Sequence, residues 1–157
     1  MSVETNKLLV RRTFEEAFNR GDLAIIDESV APDGVDRQHP NEPSFAQHLK
    51  EVVVAMRTAF PDLHFDVTEI IGEGDWVACY SVMTGTNTGE LRRPLMLPPQ
   101  APPILPATGR SVRVPHMHMI KFQNGKSVEL LHLMDTMAMA GQLGLMPAGG
   151  AQPARAA

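Results

Sequence analysis

The chain of 157 residues has a single cysteine, Cys79, so no disulfide can form within it. That points to a reducing compartment and a cytoplasmic protein. Aromatic residues are only 5 %, with one tryptophan, Trp76, and one tyrosine, Tyr80. There is no basic run, and the net charge of −4 is spread along the chain, which argues against nucleic acid as a partner. No apolar stretch reaches the roughly 18 residues that a membrane span needs. The polar opening MSVETNKLL does not read as a secretory leader. A glycine-rich phosphate loop and a GxSxG nucleophile turn are also missing, which removes two common routes to nucleotide binding and to serine hydrolysis.

What is present reads as one globular unit. Apolar residues at 43 % and charged residues at 20 % are ordinary values for a soluble domain. Residues 1–147 are expected to form a single domain, and the Gly/Ala/Pro-rich stretch 148–157 a disordered tail. Three helices come first. Val10, Phe14, Ala17 and Phe18 make one apolar stripe, which Gly21 ends. Asp22 is placed to cap a short helix over Leu23–Ser29. Ala31-Pro32-Asp33-Gly34 reads as a turn. Ser44 starts a third helix, with Gln47 completing a capping box; its stripe runs from Phe45 to Phe60 and Pro61 stops it.

Strands follow. Leu63, Phe65 and Val67 alternate with polar residues, and Trp76–Thr86 is rich in strand formers. Arg110–Phe122 and Lys126–Asp135 are two more strands, joined by a turn at Asn124-Gly125. Between Arg92 and Thr108 stand six prolines among apolar residues. This segment reads as neither strand nor helix. Three readings are open: a packing arm on a dimer partner, a lid over a pocket, or plain disorder.

Alternation selects the candidate site. Along the strand after Arg110, His116 and His118 share one face with Ile120 and Phe122. A buried imidazole needs a partner or water. On the next strand Val128, Leu130, His132 and Met134 share a face. Asp135 follows this apolar run, poised either to carry a proton beside a histidine or to cap a helix starting at Thr136 by accepting backbone N–H groups near Ala138. The His116/His118 pair also has the spacing of metal ligands, but no third ligand is evident, and no metal is assigned. Cys79, in mid-strand, reads as core.

Several motifs together resemble the SnoaL-like polyketide cyclases. They are Ala59-Phe60-Pro61-Asp62-Leu63-His64, Glu73-Gly74-Asp75-Trp76-Val77-Ala78, Gly85-Thr86-Asn87-Thr88-Gly89-Glu90, Lys121-Phe122-Gln123-Asn124-Gly125-Lys126, and Asp135 followed by Gln142-Leu143-Gly144-Leu145. The likeness runs from about residue 5 to 147 and extends to the superfamily of ketosteroid isomerase and nuclear transport factor 2. It implies a cone-shaped α+β barrel, with three N-terminal helices packed on a strongly curved, mostly antiparallel sheet, usually as a homodimer or higher oligomer. It also implies ring closure by acid/base catalysis without metal or cofactor. Asp135 matches the position of the family's acid/base aspartate. His118, with His116 beside it, matches the assisting histidine. In Asp36-Arg37-Gln38-His39-Pro40, His39 is the candidate polar contributor. The sequence departs from the family at Leu131, where an aromatic is common, at Ser127, and in the long Arg92–Thr108 insertion.

The expected substrate is a small, apolar, polycyclic or prenylated molecule of secondary-metabolite or antibiotic biosynthesis. Phe14, Phe18, Met56 and Phe60 are its expected contacts on the helices. Trp76, Tyr80, Met83, Leu131 and Met137 are those on the sheet and the final helix, with Met117 or Met119 and Met134 adding flexible apolar surface. The expected reaction is aldol or epoxide-opening ring closure. Isomerisation, hydration, a role in oxygenation chemistry, and a non-catalytic ligand-binding or accessory role are the alternatives, because this fold hosts many functions.

Overall fold

The computed structural model describes residues 2–92 and 104–146. Helix α1, Val3–Thr13, starts at Ser2, whose hydroxyl accepts the Thr5 amide at 3.2 Å. It runs on into a π-helical stretch, Phe14–Asn19. Gly21 then takes φ +80°, the left-handed conformation expected of it. Asp22 accepts the Ala24 amide at 3.0 Å and opens α2, Ala24–Ser29. Helix α3, Phe45–Ala59, is capped by Ser44, which accepts from the Gln47 amide at 3.3 Å. The reciprocal half of the expected capping box is replaced, since the Gln47 side chain donates to Glu51 instead.

The strands are β1 Val30–Asp36, β2 His64–Glu73, β3 Trp76–Thr86, β6 Ser111–Gln123 and β7 Lys126–Met134. They form one sheet in the order β1-β7-β6-β3-β2. All neighbours are antiparallel except β1 and β7, which run parallel. Register shifts at Val67/Glu69 and Lys121/Phe122 curve the sheet. Asn124 and Gly125 both take positive φ, +50° and +81°, and make the tight turn that joins β6 to β7. Helix α4, Thr136–Leu143, closes the described chain. α1, its π-helical extension and α3 lie against the sheet, and Phe14, Met56, Phe60, Phe65, Val114 and Phe122 are buried in the main core between these layers. This is the α+β cone that the sequence suggested.

Two sequence expectations are corrected. Ala31–Gly34 is not a turn but lies in β1. Pro32 is tolerated because β1 is the edge strand and its ladder is irregular between Val30 and Val35. Gly34 is there for close approach, since a Cβ at that position would sit 2.5 Å from the Phe45 ring and 2.7 Å from the Val128 carbonyl oxygen. The proline-rich segment also carries ladder structure at its ends. β4, Leu91–Arg92, pairs antiparallel with β5, Ile104–Leu105, and Leu91 is buried in the main core. Residues 93–103 between them, and the stretch 148–157 expected to be a tail, lie outside the described residues. No helix among the described residues is long and apolar enough to cross a membrane.

Candidate active site

A cavity of about 110 Å³ lies between the helices and the concave face of the sheet. That is room for on the order of ten water molecules. Its floor is aromatic. Phe14 and Phe18 stack at 5.3 Å, and Phe65 contacts them at 5.3 and 5.2 Å. Met56, Val52, Leu49, Ile120 and Met134 complete the apolar wall.

Five of the six histidines line this cavity: His39, His48, His116, His118 and His132. They form an arc. Ring centroids are 5.3 Å apart from His116 to His118 and 6.2 Å from His118 to His132. The arc continues at 6.4 Å from His132 to His39 and 4.9 Å from His39 to His48. Strand pairing produces the middle of it, because His118 and His132 are direct partners across β6 and β7. The alternation that put His116 and His118 on the inward face is therefore seen in the structure.

Among the described residues, the carboxylate that lines the cavity is Asp36, at the end of β1. Its Oδ2 lies 3.3 Å from His132 Nε2 and 3.5 Å from His48 Nε2, while its Oδ1 accepts the Gln38 amide at 2.9 Å. Asp36 and His48 are buried. Burial alone would push the Asp36 carboxyl up. The imidazoles of His132 and His48, with the Gln38 amide, outweigh that and hold it well below the ordinary carboxylate range. Asp36 is thus an anion inside an apolar chamber.

The two β6 histidines have no such partner. Both ring nitrogens of His116 and the Nδ1 of His118 are buried without a hydrogen bond. Burial, with the neighbouring His132, lowers His116 to about 3. Burial, then His116 and His132, lowers His118 well below the ordinary imidazole range, although Asp36 pulls the other way. Both are neutral at physiological pH. His39 is lowered chiefly by burial, against the pull of Asp36. Cys79 is core, as expected, and burial raises its thiol to about 12.

The structure brings Phe14, Phe18, Met56, Met134, His39, His116 and His118 to the cavity and leaves other candidates out. Asp135 is exposed, and its Oδ1 accepts the Ala138 amide at 2.8 Å. It caps α4 and does not line the cavity, so the capping alternative describes its geometry. Trp76 and Tyr80 share the outer face of β3, because Val77, Cys79, Ser81 and Met83 take the buried parity. Trp76 instead receives Lys121, whose Nζ is 5.7 Å from the ring. Leu131 and Met119 are paired on the outer face, and Met117 and Met119 are exposed. Phe60 and Met83 are fully buried in the core away from the cavity, and Met137 is 63 % exposed on α4.

Three site residues escaped the sequence reading of the site. Asp36 was hidden by the turn assigned to Pro32-Asp33-Gly34. His48 lies in the first turn of α3, between the apolar stripe positions Phe45 and Leu49. His132 shares a strand face with Val128, Leu130 and Met134, and that parity was its only signal. Asp36, His39 and His48 each bring a donor atom within 4.8 Å of the others.

A curved sheet backed by helices, with an ionised carboxylate and imidazoles set into an apolar chamber, defines an α+β cone with an internal cavity. The family model for SnoaL-like polyketide cyclases matches residues 8–143, and the chain belongs to that family. Among solved structures it resembles TsrD from Streptomyces laurentii, with TM-score 0.78 and 17 % identity over 93 % of this chain and 99 % of that one. It resembles AclR from Streptomyces galilaeus, assigned as a hydroxylase, with TM-score 0.76 and 28 % identity over 94 % and 86 %. It also resembles IdmH from Streptomyces antibioticus, assigned as a polyketide cyclase, with TM-score 0.69 and 28 % identity over 88 % and 98 %. No curated protein sequence matches significantly.

Proposed function

We propose that the protein closes a ring in an apolar polyketide-type substrate by acid/base catalysis in this chamber. The observation that carries the reading is the buried Asp36 carboxylate with His132 and His48 at 3.3 and 3.5 Å, on the wall of an otherwise apolar cavity. Asp36 orients His132 and stabilises the charge that His132 gains when it takes the α-proton of a bound ketone. The resulting enolate carbon attacks a second carbonyl of the same molecule, and the proton returns to the new alkoxide. Both reacting groups belong to one substrate, so the chamber need only fold it into a reactive shape. His116 and His118, neutral and unpartnered, bond to substrate oxygens, and His39 does so from the mouth side. The aromatic floor of Phe14, Phe18 and Phe65 suits a flat ring system. In this reading the Asp36–His132 pair takes the acid/base part that the family resemblance gave to Asp135.

The test is turnover of β-polycarbonyl substrates by Asp36→Asn. A fall of about 10²–10⁴-fold with substrate binding kept supports the reading. Unchanged turnover ends it. A second reading, oxygen insertion, draws on the equal identity to AclR. It requires dioxygen and a two-electron reductant, so substrate-dependent oxygen uptake would favour it over ring closure. The exposed Tyr80, Met117, Met119 and Leu133 on the outer face of the sheet support the expected homodimer.

A further inference from the structure

The distances around Asp36 are unusual for hydrogen bonds. Charge-assisted N–H···O contacts fall at about 2.7–2.9 Å. Here the two histidine nitrogens stand 3.3 and 3.5 Å from one carboxylate oxygen. A tetrahedral ion with bonds of about 2.0–2.1 Å separates its ligands by about 3.3 Å. For His48, at 3.5 Å, the spacing is therefore nearer to that of two ligands of one cation than to that of a donor and its acceptor.

The Gln38 amide behind Asp36 fixes the orientation of the carboxylate. Asp36 Oδ1 is taken by the Gln38 amide, which leaves Oδ2 facing the histidines. Glu42 Oε1 lies 3.9 Å from His48 Nδ1, the outer side of that ring. At that separation the carboxylate acts on the ring through its charge and not through a hydrogen bond. His48 is 5 % exposed, and its Nε2 is buried with no hydrogen-bond partner. That nitrogen points at Asp36 from the first turn of α3. His39 completes the group from the loop between β1 and α3.

We propose that Asp36, His39 and His48 form a site for one divalent transition ion of the zinc class, with a further position open toward the cavity beside His132. Two imidazoles and one carboxylate match the ligand sets of catalytic zinc and of non-haem iron. Magnesium and calcium, which take oxygen ligands, are disfavoured. A cation here would draw a substrate carbonyl oxygen to the polar end of the chamber and polarise it. The proposed site shares Asp36 and His48 with the ring-closure reading, and ion content is read separately from turnover.

The experiment uses the full chain, stripped with a chelator, dialysed and titrated with Zn²⁺ and Co²⁺. The expected result is one ion per chain by elemental analysis, with an intense visible Co²⁺ spectrum of low coordination number, unaffected by excess Mg²⁺. His39→Ala, a half-buried loop position, should weaken binding at least tenfold. His64→Ala, an exposed histidine outside the cluster, should bind as the parent does. Circular dichroism confirms that each variant is folded. No stoichiometric ion in the parent, equal affinity in folded His39→Ala, or displacement by Mg²⁺ overturns the proposal. Ion content and spectrum do not depend on turnover, and ring closure by the chelator-treated protein tests the other reading separately.

Discussion

The two halves of the histidine arc are the same side chain in opposite settings. On β6, His116 and His118 lie among Phe14, Phe65 and each other, with centroids at 5.0–5.4 Å and no carboxylate in contact. At the end of β1, His48 and His132 flank the buried Asp36. The first pair has given up water for aromatic edges and stays neutral. The second pair sustains an anion where an anion would otherwise be expelled. A histidine in a pocket is thus not one chemical object: a carboxylate neighbour separates a group that stabilises charge from one that offers a neutral nitrogen to a ligand.

The comparison breaks hardest at Asp36. Asp36→Asn should make the two halves alike, and kcat for ring closure should drop by about 10²–10⁴-fold while substrate affinity changes little. Steady-state kinetics with a separate binding measurement checks this. Next comes the apolar surface on which the neutral half rests. Phe14→Ala removes a ring that touches Phe18, Phe65 and His118 and should cost about 3–5 kcal/mol in denaturant unfolding.

The neutral half also sets an acid limit. His116 is held at about 3, and His118 is lowered too, with His132 and Asp36 the ionisable groups that act on them. Below about pH 6.5 the unfolded chain takes up protons that these folded imidazoles refuse. Stability should therefore be complete above that pH and fall as the pH drops toward 3, by about 1 kcal/mol per pH unit for each histidine. Denaturant midpoints between pH 7 and pH 4 test the slope, and His116→Phe should flatten it. The smallest effect belongs to Asp135. Asp135→Ala should lose about 0.5–2 kcal/mol of stability as a helix cap and keep its turnover, which would separate it from Asp36 in a single pair of assays.

Local signals carried much of the fold. The capping by Ser44, the left-handed Gly21, the long β3 and the Asn124-Gly125 turn each depend on a few adjacent residues, and each is present. Strand parity put His116 and His118 inside without any knowledge of their neighbours. The parallel pairing of β1 with β7 has no local signature, and a Pro-Asp-Gly triplet argued for a turn in its place. With β1 unseen, Asp36 had no position, so Asp135, at the end of the apolar run that holds His132, stood in for it. Asp135 and Asp36 each follow an apolar residue, Met134 and Val35, and only the tertiary path of β1 separates the cap from the buried anion. The outer-face Trp76 and Tyr80 were misplaced for a related reason, since aromatic bulk was weighed above the parity of the strand.

The junction of β1 and β7 has a consequence for how the protein comes into being. The backbone amide of His132 donates to the side chain of Gln38, a partner 94 positions away. Closing a loop of that length costs about 4 kcal/mol of chain entropy. During synthesis Asp36, His39 and His48 leave the ribosome long before His132 exists. Until the final strand arrives, the nascent chain carries a carboxylate with nowhere dry to lie. The polar end of the chamber is therefore the last part to be assembled, and a chain stalled before β7 would have its aromatic floor but no finished site.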